Sequence, residues 1–235
     1  MNLAQYPEKE KNILTTVGQM LKDRGYRFNQ HYEQLRSQLE SDNDAAREFY
    51  QNQEPLFQVQ HEQTKKIIYV YVSKKEKLSI ETVRVYGKQH FEQNPSGTQS
   101  APVARSETLR SNDSDTNVGV IIIAKDVTSS AYSTINIEKR FEVFSEIELF
   151  RNITHHSLYM KHRALNAYER KSILAEFRVE SNKLQQIRKS DPVVRYFGWC
   201  VGDIIEITQC YGNNQQSKKN YRVVVESTDR KICKS

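Results

Sequence analysis

The run Val118-Gly-Val-Ile-Ile-Ile-Ala124 limits the fold of this chain more than any other stretch. It is far shorter than the roughly 20 residues a membrane-spanning helix takes, and it lacks the alternation of a strand with one wet face. Such a run reads as a centre strand covered on both faces, the spine of an α/β domain. The elements around it supply the cover. Ile13, Leu14, Val17, Met20 and Leu21 recur at the spacing of one buried helix face, and Gly25 stops that helix. A second helix is expected from His31 to about Leu39, and Asp42 to Tyr50 forms a third or extends it. After Pro55 come two strands, Leu56 to His61 and Lys66 to Val72, joined by the hairpin turn Glu62 to Lys65. Ile80 to Tyr86 fits both alternation and helical spacing, so pattern alone leaves it open. Beyond the spine, a short helix, a strand from Phe141 to Phe144 and the segment Ser145 to Phe150 complete the domain.

From Asn94 to Asn117 the chain is rich in Ser, Thr, Asn, Gly and Pro, with Val103 and Leu109 its sizeable apolar residues. It reads as a disordered insert in the first domain, because it cannot bury enough apolar surface to offset the entropy of ordering. Charge divides the chain more sharply than composition does. From Arg151 onward there are 16 Lys and Arg against 8 Asp and Glu, while the first 150 residues hold 19 against 21. The formal net charge of +6 therefore comes wholly from the last third, which suits nucleic acid or an acidic protein surface. The three cysteines, Cys200, Cys210 and Cys233, form no C-x-x-C pair, so neither a disulfide framework nor a zinc site is suggested. With no signal-peptide pattern and no long apolar run, the chain is expected to be neither secreted nor membrane-bound.

In the basic third, Asp191-Pro192 opens a short helical turn, since proline presets the helical φ and lacks an N–H that the first turn could not satisfy. Gly198 closes it. Val193, Val194, Tyr196 and Phe197 between them read as a turn about to be buried, and Gly202-Asp-Ile-Ile-Glu-Ile-Thr208 reads as a strand leaving it. A helix is also expected from Asn166 to about Phe177, then a segment from Leu184 to Ile187. The pattern D-P-V-x-R-Y-F-G at Asp191 to Gly198, then G-D-x-x-x-I at Gly202 to Ile207 and Tyr221-Arg-Val-Val-Val225, closely resembles the fifth-largest shared subunit of nuclear RNA polymerases, whose C-terminal domain has an archaeal counterpart. Asp23-Arg-Gly-Tyr26 and Asn152-Ile-Thr-His-His-Ser-Leu158 resemble the same family, and the likeness runs from about Glu10 to Val225 apart from the insert.

That resemblance implies two domains: an α/β N-terminal jaw over residues 1–150, with the insert at 94–117, and a small α+β C-terminal assembly domain over 151–235 ending in a short basic tail. It implies that Ile80 onward is a helix reaching about Gln93. It further implies a non-catalytic polymerase subunit with no cofactor, nuclear and not a homo-oligomer, whose assembly domain docks on the largest subunit and whose jaw lies near downstream duplex DNA. The assembly motif then comprises Asp191, Pro192, Val193, Arg195, Tyr196, Phe197, Gly198, Gly202, Tyr221 and Arg222. The DNA-proximal turn is Lys125, Thr128, Ser129 and Ser130, where hydroxyls and free N–H groups at a helix start suit a phosphate. Ordinary N-capping is the plain alternative for Thr128, and Ser129 stands where the family often has proline.

Met160, Gln185, Glu206, Gln209 and Cys210 depart from the family pattern in the docking domain, which points to an isoform restricted to one polymerase class, with RNA polymerase I and hence the nucleolus the leading expectation. His155, His156 and His162 have no fourth ligand in the sequence, so no metal is expected. No activated nucleophile, phosphate loop or paired carboxylate motif appears, so the alternative of a degenerate nuclease is weaker than that of a free-standing DNA-binding transcription factor.

Overall fold

A computed structural model describes residues 8–28, 32–33, 39, 41–92, 118–138, 140–211 and 216–226. The insert at 94–117, the tail beyond Glu226 and most of the helix expected over His31 to Leu39 lie outside the described residues. Two compact units are present, Met1–Arg151 and Asn152–Ser235. No helix among the described residues is long and apolar enough to cross a membrane.

The first unit is built on the apolar run. Val118–Ala124 (β5) is buried along its whole length, because parallel neighbours flank it on both sides. Those neighbours are Ile67–Val72 (β3) and Phe141–Ser145 (β7), and Phe57–His61 (β2) and Tyr26–Arg27 (β1) extend the sheet antiparallel, giving the order β1-β2-β3-β5-β7. Successive residues of β5 face opposite ways. Val120, Ile122 and Ala124 join Val83, Tyr86, Ala131 and Ile135 in one apolar cluster, so the helices Ile80–Gly87 (α3) and Ser129–Ile137 (α4) cover that face. Lys9–Asp23 (α1), Asn43–Asn52 (α2) and Glu146–Leu149 (α5) pack with one another. The stripe Ile13, Leu14, Val17, Met20 and Leu21 is the buried side of α1. Tyr32 approaches α1 so closely that a Cβ on Gly18 would stand 2.9 Å from its hydroxyl, so this position admits no side chain without a shift.

The ambiguity at Ile80 resolves as helix, and it continues as a π-helical turn over Lys88–Glu92. That turn brings His90 flat against Tyr69, with ring centroids 3.9 Å apart, and to the hydroxyl of Tyr71. Lys77–Leu78 (β4) pairs in parallel with Asp126–Val127 (β6), tying the loop after β3 to the loop after β5.

The second unit is a four-stranded mixed sheet in the order β8-β10-β11-β9, formed by Lys161–Ala164 (β8), Gln185–Arg188 (β9), Ile204–Tyr211 (β10) and Gln216–Val225 (β11). β11 pairs antiparallel with β10 and parallel with β9. Ala167–Phe177 (α6) is capped by Asn166 and Glu169, which exchange side-chain and backbone hydrogen bonds as a capping box. Pro192–Phe197 (α7) lies on the face of the sheet formed by Ile187, Ile205, Ile207 and Val224, where Val194 is fully buried.

Candidate functional site

Each unit presents one arrangement with chemistry in it. In the first unit it is the carboxyl edge of the parallel strands, the edge of an α/β sheet at which ligands are commonly met. Lys74, Lys75 and Lys77 follow β3, and Lys125 follows β5. The β4–β6 pairing places Lys77 opposite Asp126, 3.5 Å apart, and so gathers all four lysines at one edge with Thr128, Ser129 and Ser130. Lys74 reaches Glu54 at 3.3 Å. Lys75 and Lys125 are exposed and have no ion-pair partner among the described residues, and the exposed Glu76 follows Lys75 in its loop. Ser129 and Ser130 are exposed on the first turn of α4.

Thr128 is already occupied: its hydroxyl donates to the Leu78 carbonyl at 3.0 Å and accepts from the Ala131 N–H at 3.4 Å, which makes it an N-cap and a staple to β4. The predicted turn residues do come together. Sequence reasoning missed Lys74, Lys75 and Lys77, whose signal was three lysines in four residues directly after an apolar strand.

In the second unit the arrangement is α7 with its supports. The Asp191 carboxylate accepts from the Val193 N–H at 2.9 Å, Pro192 sits in the first turn, and Gly198 ends the helix at φ 68°, a left-handed conformation that glycine adopts without a Cβ clash. Val193, Val194 and Tyr196 are buried, and the Tyr196 hydroxyl accepts from Asn152 Nδ2 at 3.1 Å. Phe197 differs from the expectation: it is half-buried and stacks on the half-buried Trp199, rings 4.6 Å apart and within 10° of parallel. Phe197 is the last residue of this short helix, and apolar character alone overstated its burial. Gly202 turns the chain at φ 94° and donates its N–H to the Val224 carbonyl at 2.9 Å. Arg195 donates its backbone N–H to the Asp191 carbonyl at 2.9 Å.

Glu206, one of the departures from the family pattern, is turned inward. It is 7% exposed, on the face of β10 where Arg163 of β8 and Tyr221 of β11 stand opposite it. Arg163 Nη2 donates at 3.3 Å, Lys219 Nζ at 3.2 Å and the Tyr221 hydroxyl at 3.2 Å, while Arg163 Nη1 also reaches both oxygens of Glu169 at 2.7 and 2.9 Å. Burial alone would raise the Glu206 pKa, but the hydrogen bonds and charges of Lys219 and Arg163 outweigh it and hold the carboxyl below the ordinary value of 4.5. A depressed carboxyl stabilises the fold above the unfolded-state pKa, and that contribution fades as pH falls through the folded-state value. Glu206→Gln is therefore expected to weaken the unit at neutral pH by about 1.5–3 kcal/mol and to flatten its acid sensitivity below about pH 4.5, read by melting temperature against pH.

The histidines do not converge. His156 Nδ1 accepts from the Leu158 N–H at 3.1 Å, His162 Nδ1 donates to the Met160 carbonyl, and no group among the described residues could hold a metal ion.

Comparison with known proteins bears most on the unit that carries α7. The family described as RNA polymerase Rpb5, C-terminal domain matches residues 151–224, from just before the Asn152 contact to Tyr196 through β11. Over that span the chain is similar to the Rpb5 C-terminal domain. The chain is 32% identical over 102 residues to a subunit named for DNA-directed RNA polymerases I, II and III from Dictyostelium discoideum, covering 41% of this chain and about half (52%) of that relative. It is 27% identical over 204 residues to the Caenorhabditis briggsae subunit RPABC1 of polymerases I, II and III, covering 83% of this chain and 86% of the relative. It is 34% identical over 95 residues to the Arabidopsis thaliana RNA polymerase V subunit 5A, covering 40% and 43% respectively.

Proposed function

We propose that this chain is a non-catalytic subunit of a nuclear DNA-directed RNA polymerase. Its C-terminal unit docks on the largest subunit and the carboxyl edge of its N-terminal sheet lies along downstream duplex DNA. The observation that carries the reading is the family match to residues 151–224 together with the capped, buried α7 that those residues build. The half-exposed Phe197–Trp199 stack supplies the aromatic surface typical of an interface centre. Affinity purification of the tagged chain tests the reading: large polymerase subunits should co-purify. Tight salt-sensitive DNA binding by the chain alone would instead favour a free-standing DNA-binding factor, and metal-dependent cleavage a nuclease.

At the carboxyl edge Lys75 and Lys125, which have no ion-pair partner among the described residues, join the exposed serines, an arrangement suited to the phosphate backbone. Changing both lysines to Glu should leave assembly intact while the polymerase loses its grip on downstream duplex. The slope of log affinity against log salt should become shallower by about one per lost phosphate contact. An unchanged salt slope would remove DNA from this edge.

A second reading concerns which polymerase is served. A relative named for one class, polymerase V, is among the similar proteins. Of the divergent residues here, Gln185 and the 39% exposed Met160 lie at the surface, whereas Glu206 is turned inward. We read the chain as an isoform restricted to one class, RNA polymerase I and the nucleolus first. Recovery of three largest subunits in comparable amounts would sink that reading, and recovery of one would support it.

A further inference from the structure

Arg222 stands in the family-like Tyr-Arg-Val-Val-Val strand, and its neighbours can be read from the register. It lies opposite Ile205, which lies opposite Ala164, so the three share the α7 face of the sheet. On its other side it pairs with Gln185 of β9. Asn220 and His162 flank it one step along the same face, at either side of Ile207. Ile205 and Ile207 are buried and Arg222 is half-buried, so the guanidinium rests on an apolar floor at the level where β9 begins.

Its charge has no counterpart there. Among the described residues, Arg222 Nε is buried without a hydrogen-bond partner and the guanidinium makes no ion pair. The Asp191 carboxylate, which acts on the same His162 as Arg222 does, accepts the Val193 N–H. His162 adds no negative charge: it hydrogen-bonds to the Met160 carbonyl, and burial, with Arg222 contributing, keeps its pKa low. The contrast with Arg163 and Lys219 is direct, since those cations on the opposite face are neutralised by Glu169 and Glu206. A buried donor without a partner costs stability, and folded proteins leave very few.

We propose that Arg222 receives a carboxylate side chain from the polypeptide on which this unit docks, in a two-pronged pair on the α7 face at the level where β9 begins. The chemistry is that of guanidinium recognition: a planar fork of donors matches a carboxylate, and the apolar floor strengthens the pair by excluding water. Charge complementarity runs the same way, since this unit carries 16 basic residues against 8 acidic ones. The inference rests on the polymerase-subunit reading and names the partner's contacting group.

The test compares the full-length wild type with Arg222→Met and Arg222→Lys, by melting temperature, by the amount of largest subunit that co-purifies across a salt series, and by binding to a labelled DNA duplex. Arg222→Met removes a charge that has no internal partner, so it should melt at or above the wild-type temperature. It should also hold the largest subunit at least about thirtyfold more weakly, and Arg222→Lys should restore part of the loss. A markedly lower melting temperature for Arg222→Met would make the arginine structural. Unchanged co-purification would overturn the proposal, and normal co-purification with lost duplex binding would give the guanidinium to a phosphate instead. If the wild type itself brings down no polymerase subunit, the subunit reading falls and this inference with it, an outcome visible before any variant is compared.

Discussion

Tyr196→Ala is expected to lower the stability of the C-terminal unit by about 3–5 kcal/mol and to abolish recovery with the polymerase. The ring is 4% exposed and meets Phe197 edge-on at 5.0 Å, so its loss opens a cavity beside α7. Its hydroxyl also accepts from Asn152 Nδ2, and Asn152 in turn caps the short turn Ile153–His155 through Thr154. The substitution therefore removes packing and frees the start of the unit together. Tyr196→Phe separates the two: it keeps the ring, loses one hydrogen bond, and should cost about 0.5–1.5 kcal/mol. Urea or thermal unfolding of the three proteins checks this, and an Ala variant that melts like the wild type would place the ring outside the core.

Glu146→Ala should destabilise the N-terminal unit by a similar amount, for a different reason. Lys9 Nζ lies 2.6 Å from Glu146, the Tyr50 hydroxyl donates to the other carboxylate oxygen at 3.0 Å, and the Lys9 and Glu146 side chains are 10% and 7% exposed. Burial first, then the charge of Glu146, pushes the Tyr50 pKa well up, so the phenol remains a donor at every pH at which the protein is handled. Removing the carboxylate leaves the ammonium buried without its counter-charge, which typically costs about 3–5 kcal/mol. Replacing both ends, Lys9→Met with Glu146→Gln, removes the stranded charge and should recover most of that loss, Gln keeping an acceptor for Tyr50. A double variant as unstable as Glu146→Ala would show that packing, and not the orphaned charge, sets the penalty.

How far the fold could be read in advance depended on the range of the forces involved. Val118–Ala124 was legible because burial on both faces leaves a continuous apolar run, and α1 because its five apolar residues keep one face. The caps Asp42, Asn166 and Asp191 were marked by local chemistry. The π-helical turn at Lys88–Glu92 was not, because it accompanies contacts of His90 with Tyr69 and Tyr71 on a strand some 20 residues earlier. The inward setting of Glu206 was hidden for the same reason: its three donors lie 43, 13 and 15 residues away. The lysines after β3 join Lys125 only through a strand pairing that bridges about 50 residues. Phe197 shows the limit of pattern even within a recognised motif, since residue type says what can be buried and only the neighbouring backbone says how deeply.

The strand order of the C-terminal sheet has a bearing on how the chain is made. β11, the last strand in sequence, does not lie at the margin but between β10 and β9. Until residue 225 has left the ribosome, β9 has no strand to pair with and α7 has an incomplete surface beneath it. The N-terminal sheet closes when β7 is complete, so it can fold during synthesis, as the leading domain of a growing chain commonly does. A ribosome that stalls or terminates before β11 begins thus releases a folded first unit attached to an open second one, which lacks both the finished α7 face and Arg222. Strand order in this way makes completion of the C-terminal sheet one of the last events in the synthesis of the chain.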